Sequence, residues 1–128
     1  MAGDLELLSP AGVAPPGGHY SHAVAANGFL FLAGELPITP DGTRLTSADF
    51  ATQTRQVLAN LDAILAAKGL TRARLVQVRV YITRIADWPE FNALYAAWIG
   101  PHRPARAVVP VPELHHGFRL EIAAVAAL

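Results

Sequence analysis

The sequence predicts an α+β fold class: a mixed β-sheet with two helices packed on one face. Three observations carry this. Two stretches, one from Phe50 and one from Asp87, repeat apolar residues at helical spacing. Between them Val76, Val78, Val80 and Ile82 alternate with Gln77, Arg79, Tyr81 and Thr83, the period of a strand with one apolar face. Short strand-like runs stand toward both ends of the chain, so the order reads ββ-α-β-α-ββ, and such strands need helices to cover a shared sheet.

Each element has its own signal. Residues 1–19 are rich in Gly, Pro and Ala and predict a wrap over the surface. Strands follow at 20–25 and 29–33, joined at Ala26-Asn27-Gly28, because Asn-Gly tolerates the positive φ of a tight hairpin. Gly34-Glu35-Leu36-Pro37 breaks the second strand, and Pro40-Asp41-Gly42 is a turn. Ser47 is the expected N-cap of the first helix, with Asp49 in its first turn. Its stripe is Phe50, Val57, Leu58, Leu61, Ile64 and Leu65, and Gly69 after Lys68 ends it. Asp87 and Glu90 read as the capping box of the second helix, Pro89 fits its first turn, and Gly100-Pro101 stops it. Phe91, Leu94, Tyr95, Trp98 and Ile99 make its buried stripe. The last strands are expected at 107–111 and 118–126. The uncovered sheet face then needs a second surface, which a homo-oligomer packing sheet against sheet supplies, with pockets at its subunit boundaries.

The chain of 128 residues predicts one domain, 1–128. Hydrophobic residues make up 52% and charged ones 16%, the latter below the roughly 25% usual for soluble domains; much of the excess is alanine, so this points only weakly to association. Net charge is zero with no basic stripe, which argues against nucleic-acid binding. There is no cysteine, so thiolate chemistry and cysteine metal sites are excluded. The start, Met1-Ala2-Gly3-Asp4-Leu5-Glu6, lacks the basic and apolar regions of a signal peptide, and no run is long enough to span a membrane. A cytoplasmic protein with no membrane partner is the expectation.

Two charged residues on late strands stand out. Arg106 opens the strand after Pro104, and Glu121 lies inside Phe118–Val125. A guanidinium grips a carboxylate bidentately and stays charged. A carboxylate on the opposite side from Leu120 and Ile122 can accept a proton from water and return one to a leaving amine. Together they suit a small anionic substrate, and backbone groups near Gly34 and Ala107 are placed to hold the water. The competing structural readings are an Arg106 ion pair with some other carboxylate, and a Glu121–Arg119 pair. Tyr20 and Trp88 read as core or interface aromatics, Trp88 alternatively as pocket rim. His115-His116 invites a metal, but neighbours on a strand face opposite ways and no third ligand is spaced for it; no metal is expected. His19 and His22 read as surface or interface residues.

Motifs along nearly the whole chain resemble the RidA/YjgF reactive-intermediate (imine/enamine) deaminase family. They are Tyr20-Ser21-His22-Ala23-Val24; Gly34 and Pro37; Gln53-Thr54-Arg55-Gln56-Val57-Leu58-Ala59-Asn60-Leu61; Val80-Tyr81-Ile82-Thr83; Phe91-Asn92-Ala93-Leu94-Tyr95; Pro104-Ala105-Arg106; and Leu120-Glu121-Ile122-Ala123-Ala124-Val125-Ala126. The resemblance implies a chorismate-mutase-like domain and a homotrimer with sheets facing inward and sites between subunits. It implies hydrolysis of 2-imino or enamine acids to 2-oxo acids and ammonia, without metal or organic cofactor. It assigns Arg106 to the substrate carboxylate, Glu121 to the attacking water and Tyr20 to the pocket wall. The chain departs from the family pattern at Ala33, Glu35, Val108 and His115-His116, all expected at or near the substrate. Glu35, if it points inward, adds a carboxylate that disfavours a second anionic group on the substrate, binds a cationic one, or acts as another acid or base.

Three functions compete. The first is an imine/enamine deaminase, whose substrate in a divergent member is a particular compound such as an aminomuconate-like enamine. The second is a non-catalytic trimer that senses 2-oxo acids through Arg106; retention of Glu121 favours catalysis. The third, ribonuclease action, fits poorly with zero net charge.

Overall fold

The structure, a computed structural model, describes residues 4–128; residues 1–3, part of the start that reads as no signal peptide, lie outside the described residues. Six strands form one sheet: β1 (Glu6–Leu8), β2 (Ala23–Ala26), β3 (Phe29–Glu35), β4 (Leu75–Ile82), β5 (Ala105–Pro110) and β6 (Leu120–Ala127). Their spatial order is β1-β2-β3-β6-β4-β5, with β4–β5 parallel and every other pair antiparallel. Helices α1 (Phe50–Ala67) and α2 (Trp88–Ile99) cover one face. This is the mixed-sheet α+β class the sequence predicts.

The hairpin turn forms as its dipeptide requires, with Asn27 at φ 51° and Gly28 at φ 85°. Every residue of the predicted α1 stripe is buried, as are Phe91, Tyr95 and Ile99 of α2. They meet Leu30, Leu32, Val78, Val80, Leu120 and Ile122 from the sheet in one core.

The differences have local causes. The start of the chain does not only wrap the surface: Glu6–Leu8 adds an edge strand on β2. Strand β2 begins at Ala23 rather than 20, and β3 runs through Gly34 to Glu35 instead of breaking, because an irregularity between Leu32 and Glu35 lets Glu35 pair with Ile122. A similar irregularity between Leu75 and Gln77 puts Leu75 in the core and leaves Val76 exposed. Asp49, not Ser47, caps α1: its carboxylate accepts from the Thr52 amide at 2.8 Å. No capping box forms on α2, because both Asp87 carboxylate oxygens accept from Arg119, at 2.8 and 2.9 Å. β5 starts two residues earlier than expected and tolerates Pro110 as an edge strand; β6 is shifted to 120–127.

The face away from the helices carries an apolar row beside the polar Gln77, Arg79 and Glu121. Leu7, Val24, Phe31 and Val125 stand in successive register across β1, β2, β3 and β6. Leu7 is 66% and Phe31 47% exposed, so in one chain this row faces water, as the expected need for a second surface requires.

Gln53 ties the approach to α1 to the approach to β6. It is fully buried, donates to the Ala48 carbonyl at 3.1 Å and accepts from the Arg119 amide at 3.0 Å. Gln53→Leu keeps the volume but strands both backbone groups, each worth about 1–3 kcal/mol when buried without a partner. Urea denaturation is expected to show a loss of about 2–4 kcal/mol, and an unchanged midpoint would remove Gln53 from the list of structural keystones.

Candidate active site

A cleft of about 660 Å³ opens beside β3 and the start of β6. Its floor is the segment Ala33-Gly34-Glu35, and its walls include Tyr20, His22, Arg44, His115, His116 and Glu121. The chain backbone delivers these groups for clear reasons. The irregularity in β3 re-aims residues 33–35. The strap between β3 and α1 is held by Asn60, whose amide donates to the carbonyls of Leu36 and Ile38, both at 3.1 Å. Within that strap Asp41 accepts from Thr43 and Gly42 takes φ 90°, as the turn signal required.

Glu121 lies directly over Gly34. A Cβ built on Gly34 would stand 2.2 Å from Glu121 Oε2 and 2.9 Å from its carboxyl carbon. Glycine is required here because the carboxylate fills the space of any side chain. Burial raises the Glu121 carboxyl above its ordinary value, and His115 pulls it back in part.

Glu35 is buried rather than presented to the substrate beside Glu121: it pairs with Ile122, so its side chain is on the helix face. It is 3% exposed, and its Oε2 lies 2.9 Å from His22 Nδ1. His22 is 6% exposed, which corrects the expectation of a surface or interface histidine; its Nε2 donates to the Ala14 carbonyl at 2.6 Å. Burial raises the Glu35 carboxyl, the bond to and charge of His22 lower it, and Glu121 raises it again.

His115 and His116 sit in a one-turn helix at 115–117 rather than on a strand, with His116 at φ 58°. Both therefore line the cleft instead of facing opposite ways. Among the described residues no three His, Cys, Asp or Glu side chains come together as a metal site. The Arg119–Glu121 pair does not form, since Arg119 is taken by Asp87 and lies 5.2 Å over the Phe50 ring.

Arg106 is elsewhere. In the sheet it pairs with Val78, which pairs in turn with Ala124, while Glu121 pairs with Tyr81. Directly paired residues share a face, so Arg106 is on the helix face and Glu121 on the open face. Its guanidinium donates to Asn92 Oδ1 at 3.0 Å and lies 4.9 Å over the Tyr95 ring. Tyr95 Oη beside it is buried without a hydrogen-bond partner. One chain thus brings Tyr20, Ala33, Gly34, Glu35 and Glu121 around one cleft and leaves Arg106, Ala107, Val108 and Trp88 outside it. Sequence reasoning missed His22, Arg44 and Asn92. Asn92 sits on the face of α2 that carries Tyr95 one turn on, a spacing that reads only as core until Arg106 is seen against it.

Comparison with known proteins places the chain among relatives of one kind. The endoribonuclease L-PSP family model matches residues 11–128. A RutC family protein of Pyrococcus horikoshii is 38% identical over 121 residues, covering 94% of this chain and 96% of the relative. Reactive Intermediate Deaminase A of Arabidopsis thaliana, a chloroplastic protein, is 32% identical over 120 residues, covering 94% of this chain and 62% of that one. The solved structure of the yjgF gene product of E. coli superposes with a TM-score of 0.88 at 30% identity, covering 95% of this chain and 98% of that one.

Two outcomes follow from the cleft's geometry. Gly34→Ala is expected to displace the Glu121 carboxylate while leaving stability within about 1 kcal/mol, because alanine also narrows the unfolded ensemble. A crystal structure of the variant with Glu121 unmoved would contradict this. The second concerns pH. The folded chain holds the Glu121 proton more tightly than the unfolded chain, so that contribution to stability is present at low pH and is lost as pH rises through the raised value. Glu121→Gln should therefore have a higher urea midpoint than the parent at pH 8, with the difference closing as pH falls below the ordinary carboxylate range. Equal midpoints at pH 8 would show that the carboxylate is not strained by burial.

Proposed function

The chain belongs to the endoribonuclease L-PSP family, which takes in RutC and RidA proteins, and we propose that it is an imine/enamine deaminase. The reaction is hydrolysis of 2-imino acids to 2-oxo acids and ammonia. The observation that carries this reading is the partly buried carboxylate of Glu121 set over Gly34 at the floor of a small cleft. The deaminase named among the relatives supports the same chemistry.

An imine carbon is already electrophilic, so the protein has mainly to place water and manage protons. The imine enters with its nitrogen protonated; as water attacks, Glu121 accepts a proton from it and the neutral carbinolamine forms. Glu121 then returns that proton to the amine nitrogen, the C–N bond breaks, the carbinol hydroxyl gives its proton back to Glu121, and ammonia leaves as the carbonyl forms. A carboxyl raised by burial holds a proton better than a free carboxylate and so suits both roles.

The substrate carboxylate needs a cation, and Arg106 is on the wrong face of its own chain. We assign it to the cleft of a neighbouring copy. Arg106 projects from the edge strand β5, and the apolar row Leu7-Val24-Phe31-Val125 supplies a surface for association. A homotrimer with three intersubunit sites satisfies both, with Asn92, Ala107 and Val108 arriving beside Arg106, and Tyr20 on the facing wall. A sensor of 2-oxo acids would need Arg106 alone; the placement of Glu121 favours catalysis. Glu35 is compensated by His22 and so does not bar a second anionic group, which keeps aminomuconate-like enamines within the substrate class.

Arg106→Ala and Glu121→Ala should each lose most deaminase activity, since removing one partner of a buried charge contact costs about 2–5 kcal/mol, or roughly 30-fold and more. Activity is read as 2-oxo acid release from imines generated by an amino-acid oxidase. Mixing the two inactive variants under subunit exchange should restore about one quarter of parental sites, because a site intact on both sides then forms at random. Recovery at background level would refute the intersubunit site. Near-parental kcat/KM in Arg106→Ala would refute the role of that arginine.

A further inference from the structure

One wall of the cleft is built without regular structure. Val13, Ala14, Pro15, Gly17, Gly18 and Tyr20 line it, and none carries a charge. The basic and acidic groups stand on other segments: Arg44 on the strap, His115 and His116 before β6, and Glu121 on β6. From Pro15 to Tyr20 the chain is largely exposed and belongs to no strand or helix. Segments of this kind are ordinarily mobile, and two glycines add no side chain to fix it.

Both ends of this loop are nevertheless tied through one side chain. His22 Nε2 donates to the Ala14 carbonyl at 2.6 Å, closing the loop across eight residues. Its Nδ1 meets Glu35 Oε2 at 2.9 Å, which anchors the ring to β3. An imidazole bonded at both nitrogens cannot turn without losing a bond. Tyr20 sets its ring edge-to-face against this one, with centroids 5.9 Å apart and planes at 79°. The Gly18 backbone also backs it, since a Cβ built there would lie 3.5 Å from the Tyr20 ring. Gly18 and His22 thus set Tyr20, although 47% of it is exposed.

We propose that the contacts running from Glu35 through His22 to Ala14 are a clamp that fixes Tyr20 as a wall of the cleft, and that this wall takes the apolar or planar side chain of the substrate. This rests on the reading of the cleft as a deaminase site. Glu35 and His22 are positioning residues. Glu35 stays on the helix face and holds His22, and His22 acts through Tyr20.

A wall ordered before binding spares the entropy of ordering it afterwards. A substrate with a methyl side chain gains little from such a wall. One with a benzyl side chain gains an aromatic contact worth up to about tenfold in affinity. Proton counting says which replacement keeps the clamp. A carbonyl oxygen only accepts, so Nε2 carries a proton, and in a neutral ring Nδ1 is then an acceptor. Glutamine at 35 donates an amide N–H to that acceptor; leucine offers nothing.

The test uses two product-like probes, phenylpyruvate and pyruvate, with Kd read by calorimetry. The parent should bind phenylpyruvate more tightly. Tyr20→Ala and Glu35→Leu should each weaken phenylpyruvate binding about 10-fold and change pyruvate binding by less than about twofold. Glu35→Gln should keep the parental preference. Adding Glu35→Leu to Tyr20→Ala should cost nothing more, because the clamp then has no ring to hold. Equal losses for both probes in Glu35→Leu, additive losses in the double variant, or a parent without preference would overturn the proposal. An independent arm needs no ligand. Proton NMR of the parent and of Glu35→Gln should show cross-relaxation between the Tyr20 and His22 rings, and its absence in the parent overturns the clamp. Binding with this preference but without hydrolysis of any imine would sink the deaminase reading and leave the clamp supported.

Discussion

The carboxylate of Glu121 occupies the volume that a side chain at position 34 would fill, and the cleft is built around that exclusion. The contact spans β3 and β6, neighbours in the sheet, so it depends on their register. That register shifts between Leu32 and Glu35, which lifts Gly34 toward Glu121 and returns Glu35 to pairing with Ile122. The strap leaving β3 must then be held away from the opening, which Asn60 does through two carbonyls. Gln53 holds the other approach by gripping the Arg119 amide just before β6. Buried polar residues of one helix thus fix both chains that converge on the carboxylate, and replacing either by an apolar residue would leave backbone groups without partners.

A strand offers only two faces, and the two residues assigned to the proposed chemistry stand on different ones. The helix face of β5 carries Arg106 into a setting of Asn92 and Tyr95. The open face of β6 carries Glu121. No rotamer change carries a guanidinium through a sheet, so the two meet only if another copy supplies one of them. The apolar row across β1, β2, β3 and β6 makes the same demand on energetic grounds, since burying its side chains removes large apolar surfaces from water. Under the proposed function, chemistry and hydration both ask for a second copy.

What was legible in the sequence was whatever has a local or periodic cause. The Asn27-Gly28 turn, the two helix stripes and the alternation in β4 and β6 each declare themselves within a few residues. The α2 cap was misread because Asp87 has a stronger partner, Arg119, far away in the chain. Ser47 and Asp49 are both good caps by residue type, and only backbone geometry selects Asp49. The edge strand at Glu6–Leu8 has too short a pattern to register. His22 was missed for a subtler reason. The hairpin turn sets His22 opposite Ala33, but the irregularity between Leu32 and Glu35 decides which way Glu35 turns, and no local pattern announces it.

Glu35 and Glu121 are both withdrawn from water where β3 meets β6, on opposite faces of the sheet, and the charge of Glu121 disfavours that of Glu35. Two like groups this near are tolerated only if their surroundings make them unlike. Here the asymmetry comes from the neighbours. Glu121 faces a glycine and feels His115 only through space, so its charge state follows the cleft. Glu35 is bonded to a histidine whose other nitrogen is committed to a backbone carbonyl, so its proton is held by geometry. His22 is what keeps the Glu35 carboxyl from being an isolated buried charge.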